Sequence, residues 1–116
     1  MRIIHITDFH LRDPGGSEIA AQHASFLAAC LGELANKYAD TAYCVVTGDL
    51  ADDGNPAAYR WLRDQLDSLP FPTVPLLGNH DDREAFLQEF GEQGRDQNGF
   101  VQSEVNTTDA KLIFLD

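Results

Sequence analysis

The fold is decided by residues 43–52, which read YCVVTGDLAD. The first four positions form an apolar run that is too short for a core helix, and it leads directly into a Gly-Asp motif. Residues 3–10 (IIHITDFH) and residues 73–81 (TVPLLGNHD) repeat this arrangement. Each of the three stretches predicts a buried strand that ends in polar side chains. Parallel strands would bring the three motifs to one sheet edge, where ligands bind in open α/β sheets.

The segments between these strands have the period of amphipathic helices. Apolar positions in the first are Ile19, His23, Phe26, Leu27, Cys30, Leu31, Leu34 and Tyr38, and those in the second are Tyr59, Leu62, Leu66 and Leu69. Ser17 and the Asn55-Pro56 pair predict the two N-termini, and Pro70 predicts the end of the second helix. A third helix is expected from about residue 82 to residue 90. The pattern predicts an α/β fold with parallel strands and crossover helices.

Composition is typical of a globular protein, with 43% hydrophobic and 23% charged residues among 116. No apolar run approaches the ~20 residues that span a bilayer, and the chain enters a strand at once without the regions of a signal peptide. We therefore expect a cytoplasmic protein without a membrane partner. Cys30 and Cys44 are expected to be buried free thiols, because they fall in a predicted helix and a predicted strand.

The acidic residues are concentrated where the motifs meet. The net charge of −11 argues against nucleic-acid binding through a basic surface. Six carboxylates are expected near one end of the sheet: Asp8, Asp49, Asp52, Asp53, Asp81 and Asp82. Only Arg12 and Arg83 are close in sequence to offset them. Clustered carboxylates raise one another's pKa unless they are neutralised, so this pattern indicates bound divalent cations.

The types of side chain narrow the choice of metal. Imidazole, carboxylate and amide groups without thiolate favour Mn, Fe or Zn at a reactive site, and histidine argues against calcium. Asp8 and His10 can hold one ion, Asp49 can give an oxygen to each of two ions, and Asn79 can hold the second. Two ions ~3.5–4 Å apart would clamp a phosphoryl group and lower the pKa of a bridging water. The sequence thus predicts metal-assisted phosphoester hydrolysis.

The ordered set of D-x-H (residues 8–10), G-D-x-x-D (residues 48–52) and G-N-H-D (residues 78–81) resembles the N-terminal portion of the calcineurin-like metallophosphoesterases. The resemblance covers residues 1–116. It implies part of a four-layer α/β/β/α sandwich and two divalent ions (Mn, Fe or Zn). It also implies that the metal ligands are Asp8, His10, Asp49 and Asn79, with Asp49 bridging. His80 would be the catalytic residue that contacts the substrate phosphate, as general acid or charge stabiliser.

The amino-acid sequences in and around the motifs resemble one branch of that family, the cyclic-nucleotide and glycerophosphodiester phosphodiesterases. The matching stretches are TDFHL (residues 7–11), GDLADDG (residues 48–54) and GNHDDR (residues 78–83). The resemblance implies a small-molecule phosphodiester as substrate, such as a cyclic nucleotide or a glycerophosphodiester. A non-catalytic metal-binding or assembly module is an alternative, as are a nuclease or a phosphoprotein phosphatase of the same superfamily.

The resemblance also implies ligands that residues 1–116 do not supply. Members of the family continue with another metal-binding histidine and a Gly-His-x-His motif, and the four histidines here (His5, His10, His23 and His80) leave none to replace them. We therefore expect this chain to be an incomplete domain with little or no hydrolytic activity. Residues 100–105 and 111–115 are expected to form two strands, and an uncovered apolar edge there would favour association of copies.

Several residues near the motifs have a structural interpretation. His5 and His23 are expected to be hydrogen-bonded core histidines. Asp52 and Asp53 are expected in the loop or behind the ligands rather than on the metal. Asp81 could orient His80 or cap the third helix, and the cap is favoured.

Overall fold

A computed structural model of the protein describes residues 1–116, apart from the side chain of Gln93. The strands and helices alternate along most of the chain. Their order is β1 (Ile3–Thr7), α1 (Glu18–Lys37), β2 (Tyr43–Thr47), α2 (Pro56–Asp67), β3 (Thr73–Leu76), α3 (Arg83–Phe90), a short 3-10 helix (Glu92–Gly94), β4 (Ser103–Asn106) and β5 (Lys111–Phe114).

The first three strands form one parallel sheet in the order β1-β2-β3. Ile3 pairs with Tyr43 and Cys44 pairs with Thr73, so the three strands run together and end at the same edge. The helices α1 and α2 connect successive strands, as parallel pairing requires. The predicted α/β class, with parallel strands and crossover helices, is confirmed.

The main core lies between this sheet and the helices. Cys44 and Val46 of β2 are fully buried there, together with Tyr59, Leu62 and Leu66 of α2. These three α2 residues recur at helical spacing, as the sequence predicted. The apolar face of α2 therefore packs this helix, which follows β2 in the chain, against the main core.

The hairpin of β4 and β5 is antiparallel and packs Phe114 against Val45 and Leu76 on the other face of the sheet. β4 begins at Ser103 rather than at residue 100 as predicted. The reason is a closed loop: Asp96 Oδ1 accepts hydrogen bonds from the backbone N–H groups of Asn98 and Phe100, both at 2.9 Å. These bonds hold residues 96–100 in a turn, so strand pairing starts later.

The buried face of α1 differs from the predicted apolar stripe. Ala20, Ala24 and Leu31 are buried, whereas Ile19 is 80% exposed and Phe26 is 71% exposed. Ala20 and Ala24 lie outside the predicted stripe, and only Leu31 belongs both to it and to the buried face. Although α1 is 20 residues long, no helix among the described residues is long and apolar enough to cross a bilayer.

The expectation of core histidines is wrong for both His5 and His23, which are exposed. His5 lies on β1, at the edge of the sheet, on the same face as its partner Val45 but outside the apolar cluster that the hairpin covers. Its Nε2 is 2.6 Å from Thr47 Oγ1 across the strand pair. His23 lies on the outward side of α1. Helical or strand periodicity alone does not show which face of an edge element is covered.

The cysteines are free, as predicted. Cys44 is fully buried in β2, and burial raises the pKa of its thiol. Cys30 is half-buried on α1.

Helix ends follow the predicted signals with one exception. The Ser17 side chain accepts a hydrogen bond from Ala20 N, and the Asn55 side chain accepts one from Ala57 N beside Pro56 at the first turn of α2. At α3 the capping residue is Asp82, whose Oδ1 accepts from Ala85 N at 2.8 Å. The interpretation of Asp81 as this cap is therefore wrong.

Candidate metal centre

The loops after β1 and β2 are held together by apolar residues that alternate with the polar ones. Leu11 and Leu50 are at most 1% exposed, and Leu11 N donates to Leu50 O at 3.0 Å. Asp52 N donates in turn to Leu11 O at 2.8 Å, which extends the parallel pairing beyond the strands. This pairing brings the D-x-H and G-D-x-x-D motifs alongside each other at the sheet edge.

Three of the polar residues have a left-handed backbone, with φ of 59° at Asp8, 47° at His10 and 48° at Asp49. This region is disfavoured for residues with side chains, although Asp and His adopt it more readily than most. Such strain concentrates at functional sites, where surrounding structure enforces it. The surrounding structure therefore holds these three residues in a strained conformation that sets the direction of their side chains.

A close approach between two loops fixes the position of Asp49. A Cβ on Gly78 would lie 2.3 Å from Asp49 Oδ1 and 2.4 Å from Asp49 N, so only glycine fits there. The β3 loop therefore packs directly on the Asp49 backbone. The Asp49 side chain is 14% exposed as a result, and it is the most enclosed of the carboxylates that contact His10.

Two carboxylates face one nitrogen of His10. His10 Nε2 lies 3.6 Å from Asp8 Oδ1 and 3.6 Å from Asp49 Oδ2. Donor atoms that each lie about 2.1 Å from one ion are about 3–3.5 Å apart. The spacing therefore fits a shared divalent ion with a movement of a few tenths of an ångström.

The other ring nitrogen of His10 is held from behind by Asp52. His10 Nδ1 lies 3.1 Å from Asp52 Oδ1, and Arg12 Nη2 lies 2.8 Å from Asp52 Oδ2. The Arg12 guanidinium, followed by His10, lowers the pKa of the Asp52 carboxyl. An ionised Asp52 favours the proton on Nδ1 and leaves Nε2 free to bind a metal. The expectation that Asp52 stands behind the ligands agrees with these contacts.

His80 contacts both loops. Its backbone N–H donates to Asp49 Oδ1 at 3.0 Å, and its Nδ1 lies 2.9 Å from the carbonyl oxygen of Asp52. This carbonyl, with the negative charge of Asp49, raises the pKa of the imidazole. The rings of His10 and His80 meet edge to face, with centroids 4.9 Å apart.

Donor atoms of His10, Asp49 and His80 all lie within 4.8 Å of one another. This group shares two members with the predicted ligand set and brings in His80, the predicted catalytic residue. Of the two other predicted ligands, Asp8 lies 3.6 Å from His10 Nε2, and Asn79 is exposed in the loop between Gly78 and His80. The structure thus places Asp8, His10, Asp49 and His80 in contact with one another, and Asn79 precedes His80 in the chain.

The Asp81 carboxylate braces the site from inside the protein. Its Oδ1 accepts from Ala51 N and from the Tyr59 hydroxyl, both at 2.9 Å. Its Oδ2 accepts from Leu50 N at 3.1 Å and from Gly78 N at 2.8 Å. Asp81 therefore ties the two loops that carry Asp49 and His80 to helix α2. Burial raises the pKa of Tyr59, so the hydroxyl remains a donor.

Sequence reasoning missed the roles of Arg12, Tyr59 and Asp81. A signal for Arg12 was present, because the parallel register that pairs Leu11 with Ala51 also brings the residues that follow them, Arg12 and Asp52, together. Tyr59 was predicted only as a core residue of α2. The bond from its hydroxyl to Asp81 joins residues 22 apart in sequence, and no local pattern contains it.

Comparison with protein families gives one match over nearly the whole chain. The model of the calcineurin-like phosphoesterase family matches residues 1–114. This range includes every motif at the sheet edge.

Three relatives illustrate the similarity. A probable cyclic nucleotide phosphodiesterase of Rhodopseudomonas palustris is 36% identical over 116 residues, which are 100% of this chain and 42% of that protein. A cAMP/cGMP dual specificity phosphodiesterase of Mycobacterium tuberculosis is 38% identical over 96 residues, covering 76% of this chain and 29% of the relative. A glycerophosphodiester phosphodiesterase of Enterobacter lignolyticus is 31% identical over 93 residues, covering 76% and 32%. The chain therefore spans less than half the length of each of these relatives.

Proposed function

This chain belongs to the calcineurin-like phosphoesterase family, and on that premise we propose that it hydrolyses small-molecule phosphodiesters with the help of two divalent metal ions. One observation carries the proposal: His10 Nε2 lies 3.6 Å from a carboxylate oxygen of both Asp8 and Asp49 at the ends of two parallel strands. A solvated surface cluster would not need left-handed backbone at all three residues.

The first ion would be held by Asp8, His10 and Asp49, and the second by Asp49 and Asn79. The donor set is one imidazole, carboxylates and an amide oxygen, which suits Mn, Fe or Zn. When bound, such ions supply Lewis acidity and a hydroxide nucleophile at neutral pH. Asp52 orients the His10 ring, and Arg12 holds Asp52 in its ionised form.

His80 is proposed to contact the substrate phosphate. The carbonyl oxygen of Asp52 accepts a hydrogen bond from its Nδ1–H, which leaves Nε2 as the free ring nitrogen. The backbone bond from His80 to Asp49 fixes the distance between this ring and the proposed ions. His80 can then stabilise negative charge on the phosphoryl group or donate a proton to the leaving oxygen.

The substrate is proposed to be a cyclic nucleotide or a glycerophosphodiester. The similarity to cyclic nucleotide and glycerophosphodiester phosphodiesterases supports this class. The net charge of −11 disfavours a nuclease, because a nucleic-acid channel needs basic side chains along it. A phosphoprotein phosphatase is less favoured than a diesterase, since the relatives described above are diesterases.

The test is an assay of the Mn²⁺-loaded protein with a cyclic nucleotide, a glycerophosphodiester and a phosphomonoester. Cleavage of a diester that disappears in Asp49→Asn supports the proposal. Asp53→Asn is a matched control, because Asp53 contacts Asn55 N in the same loop rather than His10. Tight metal binding without cleavage of any of the three substrates would instead favour the non-catalytic binding module.

Residues 1–116, which span less than half the length of each relative described above, are proposed on their own to hydrolyse diesters weakly. Within them the second ion has Asp49 and Asn79 as its proposed ligands. We expect calorimetry with Zn²⁺ to show one tight site and a second site at least ~100-fold weaker, because the second ion has fewer proposed protein ligands than the first. Two equally tight sites, or strong turnover by this chain, would contradict this part of the proposal.

A further inference from the structure

We propose that a cavity beside His10 binds the heteroaromatic base of a nucleotide ester, and this inference rests on the proposed function. The cavity has a volume of ≈ 190 Å³ and lies between the loop after β1 and the first turns of α1. Its walls are formed by His10, Arg12, Ser17, Ile19, Ala20 and His23.

The position of the cavity connects it to the proposed reaction centre. His10 is a wall of the cavity and also contacts Asp8 and Asp49 through Nε2. A group esterified to a phosphate at the proposed metal centre would therefore lie close to the cavity, because the His10 side chain borders both. The cavity is thus placed to receive a substituent of the phosphodiester.

The walls suit a flat aromatic group. Ile19 and Ala20 give an apolar surface, and Ile19 is 80% exposed, so a ligand would cover side-chain area that now faces water. Among the residues that the structure describes, the His23 ring has no hydrogen-bond partner. Imidazole rings and guanidinium planes both stack on bases, and Arg12 uses only one edge of its guanidinium to bind Asp52.

The same walls disfavour the substituents of glycerophosphodiesters. A choline or ethanolamine group carries a positive charge and is recognised by aromatic cages or carboxylates. The cavity has neither a carboxylate nor an aromatic cage, and Arg12 would repel an ammonium group. Its volume lies below the roughly 300–1,000 Å³ of sites for drug-sized ligands, so it suits a ring-sized fragment of a substrate.

The experiment compares two phosphate ligands that differ in the base. Adenosine 5′-monophosphate and ribose 5-phosphate are titrated into the Zn²⁺-loaded protein, and backbone amide shifts are followed by NMR. Both ligands should shift His10 and Asp49, whereas only the nucleotide should shift Ile19, Ala20 and His23. The variants His23→Ala and Ile19→Ala should each weaken nucleotide binding about tenfold and leave ribose 5-phosphate binding unchanged.

Phe26→Ala is the matched control, because Phe26 is an exposed apolar residue of α1 that does not line the cavity. It should bind both ligands as the parent protein does. The base-binding inference is overturned, and the proposed function survives, if both ligands shift His10 and Asp49 equally and His23→Ala has no effect on either. Failure of both ligands to shift His10 and Asp49 would overturn the inference and the proposed function together.

Discussion

The Tyr59 hydroxyl donates a hydrogen bond of 2.9 Å to Asp81 Oδ1, and it accepts one of 2.9 Å from the backbone N–H of Asp82. Tyr59 is fully buried on α2, and Asp81 lies in the loop after β3. The pair therefore connects the core to the loop that carries His80. Because Asp81 also accepts from Ala51 N, it transmits the same anchoring to the loop that carries Asp49.

Asp81→Asn should lower the free energy of unfolding by about 1.5–3 kcal/mol, the usual contribution of hydrogen bonds to a charged group. Both carboxylate oxygens accept backbone N–H bonds, and an amide can replace only one of them. Urea unfolding measures the change. In a double-mutant cycle with Tyr59→Phe, the two losses should be clearly less than additive, because the residues share one bond. Strict additivity would show that the pair is not coupled.

Gly78→Ala should destabilise the protein by about 3 kcal/mol or more, or prevent folding. The added methyl would overlap the backbone and side chain of Asp49. Gly32→Ala is the matched control: Gly32 is exposed within α1, and nothing lies within 4 Å of its added Cβ. That variant should gain about 0.5–1 kcal/mol from helix propensity. Similar behaviour of the two variants in thermal melts would contradict the close approach.

Asp52→Asn should weaken binding of the proposed first metal ion by about 10–100-fold, as expected when the partner of a histidine ligand is removed. The amide no longer favours the proton on His10 Nδ1, so Nε2 is less available. Calorimetric titration with Zn²⁺ gives the affinity. Asp53→Asn, one residue along the chain, should bind Zn²⁺ normally. Equal effects of the two substitutions would mean that general loss of charge, rather than orientation of His10, controls binding.

Asp49→Asn should affect the stability of the metal-free protein and the binding of Zn²⁺ in opposite directions. Removing one charge from beside Asp8 and Asp52 should raise the melting temperature of the metal-free protein, because like charges repel. The same change should abolish the extra stabilisation that Zn²⁺ gives the parent protein, since ligand binding to the native state raises stability. Differential scanning calorimetry with and without Zn²⁺ tests both. A Zn²⁺ effect that persists in the variant would place the ion elsewhere.

Glu89→Gln should destabilise the protein in a pH-dependent manner. Arg60 Nη2 lies 2.7 Å from Glu89 Oε1 across the α2–α3 contact, and this guanidinium lowers the pKa of Glu89. Because folding lowers this pKa, the ionised Glu89 stabilises the protein at pH values above its unfolded pKa of about 4.3. This stabilisation is lost as the pH falls through the pKa of the folded state. The difference in urea midpoint between parent and variant should therefore be largest near pH 7 and should decrease as the pH falls below about 4.

Glu33→Gln serves as the control for this profile, because Glu33 has no ion pair among the described residues. Its urea midpoint should follow that of the parent protein at each pH. A constant difference between Glu89→Gln and the parent from pH 3 to pH 7 would show that packing, rather than the ion pair, is responsible.

The local signals in the sequence were sufficient for the strands and most helix ends. The apolar run before Gly48 is a strand, and Ser17 and Asn55 cap the helices that they were expected to cap. These features depend on neighbours within a few residues, so a single sequence contains them. Where the outcome depended on which surface covers an element, prediction was wrong, as at His5, His23 and the outer side of α1.

The same distinction between local sequence signals and tertiary contacts applies to the candidate site. The sequence by itself determined which residues reach the carboxyl edge of the sheet, because strand ends and parallel topology place Asp8, His10 and Asp49 there. Only the tertiary structure decided that Asp81 is a partly buried brace instead of a helix cap, and that Arg12 binds the Asp52 carboxylate that contacts His10. The physical reason is that a carboxylate binds whichever donors the folded chain brings within 3 Å, and the donors of Asp81 include residues as far as 31 positions away in the sequence.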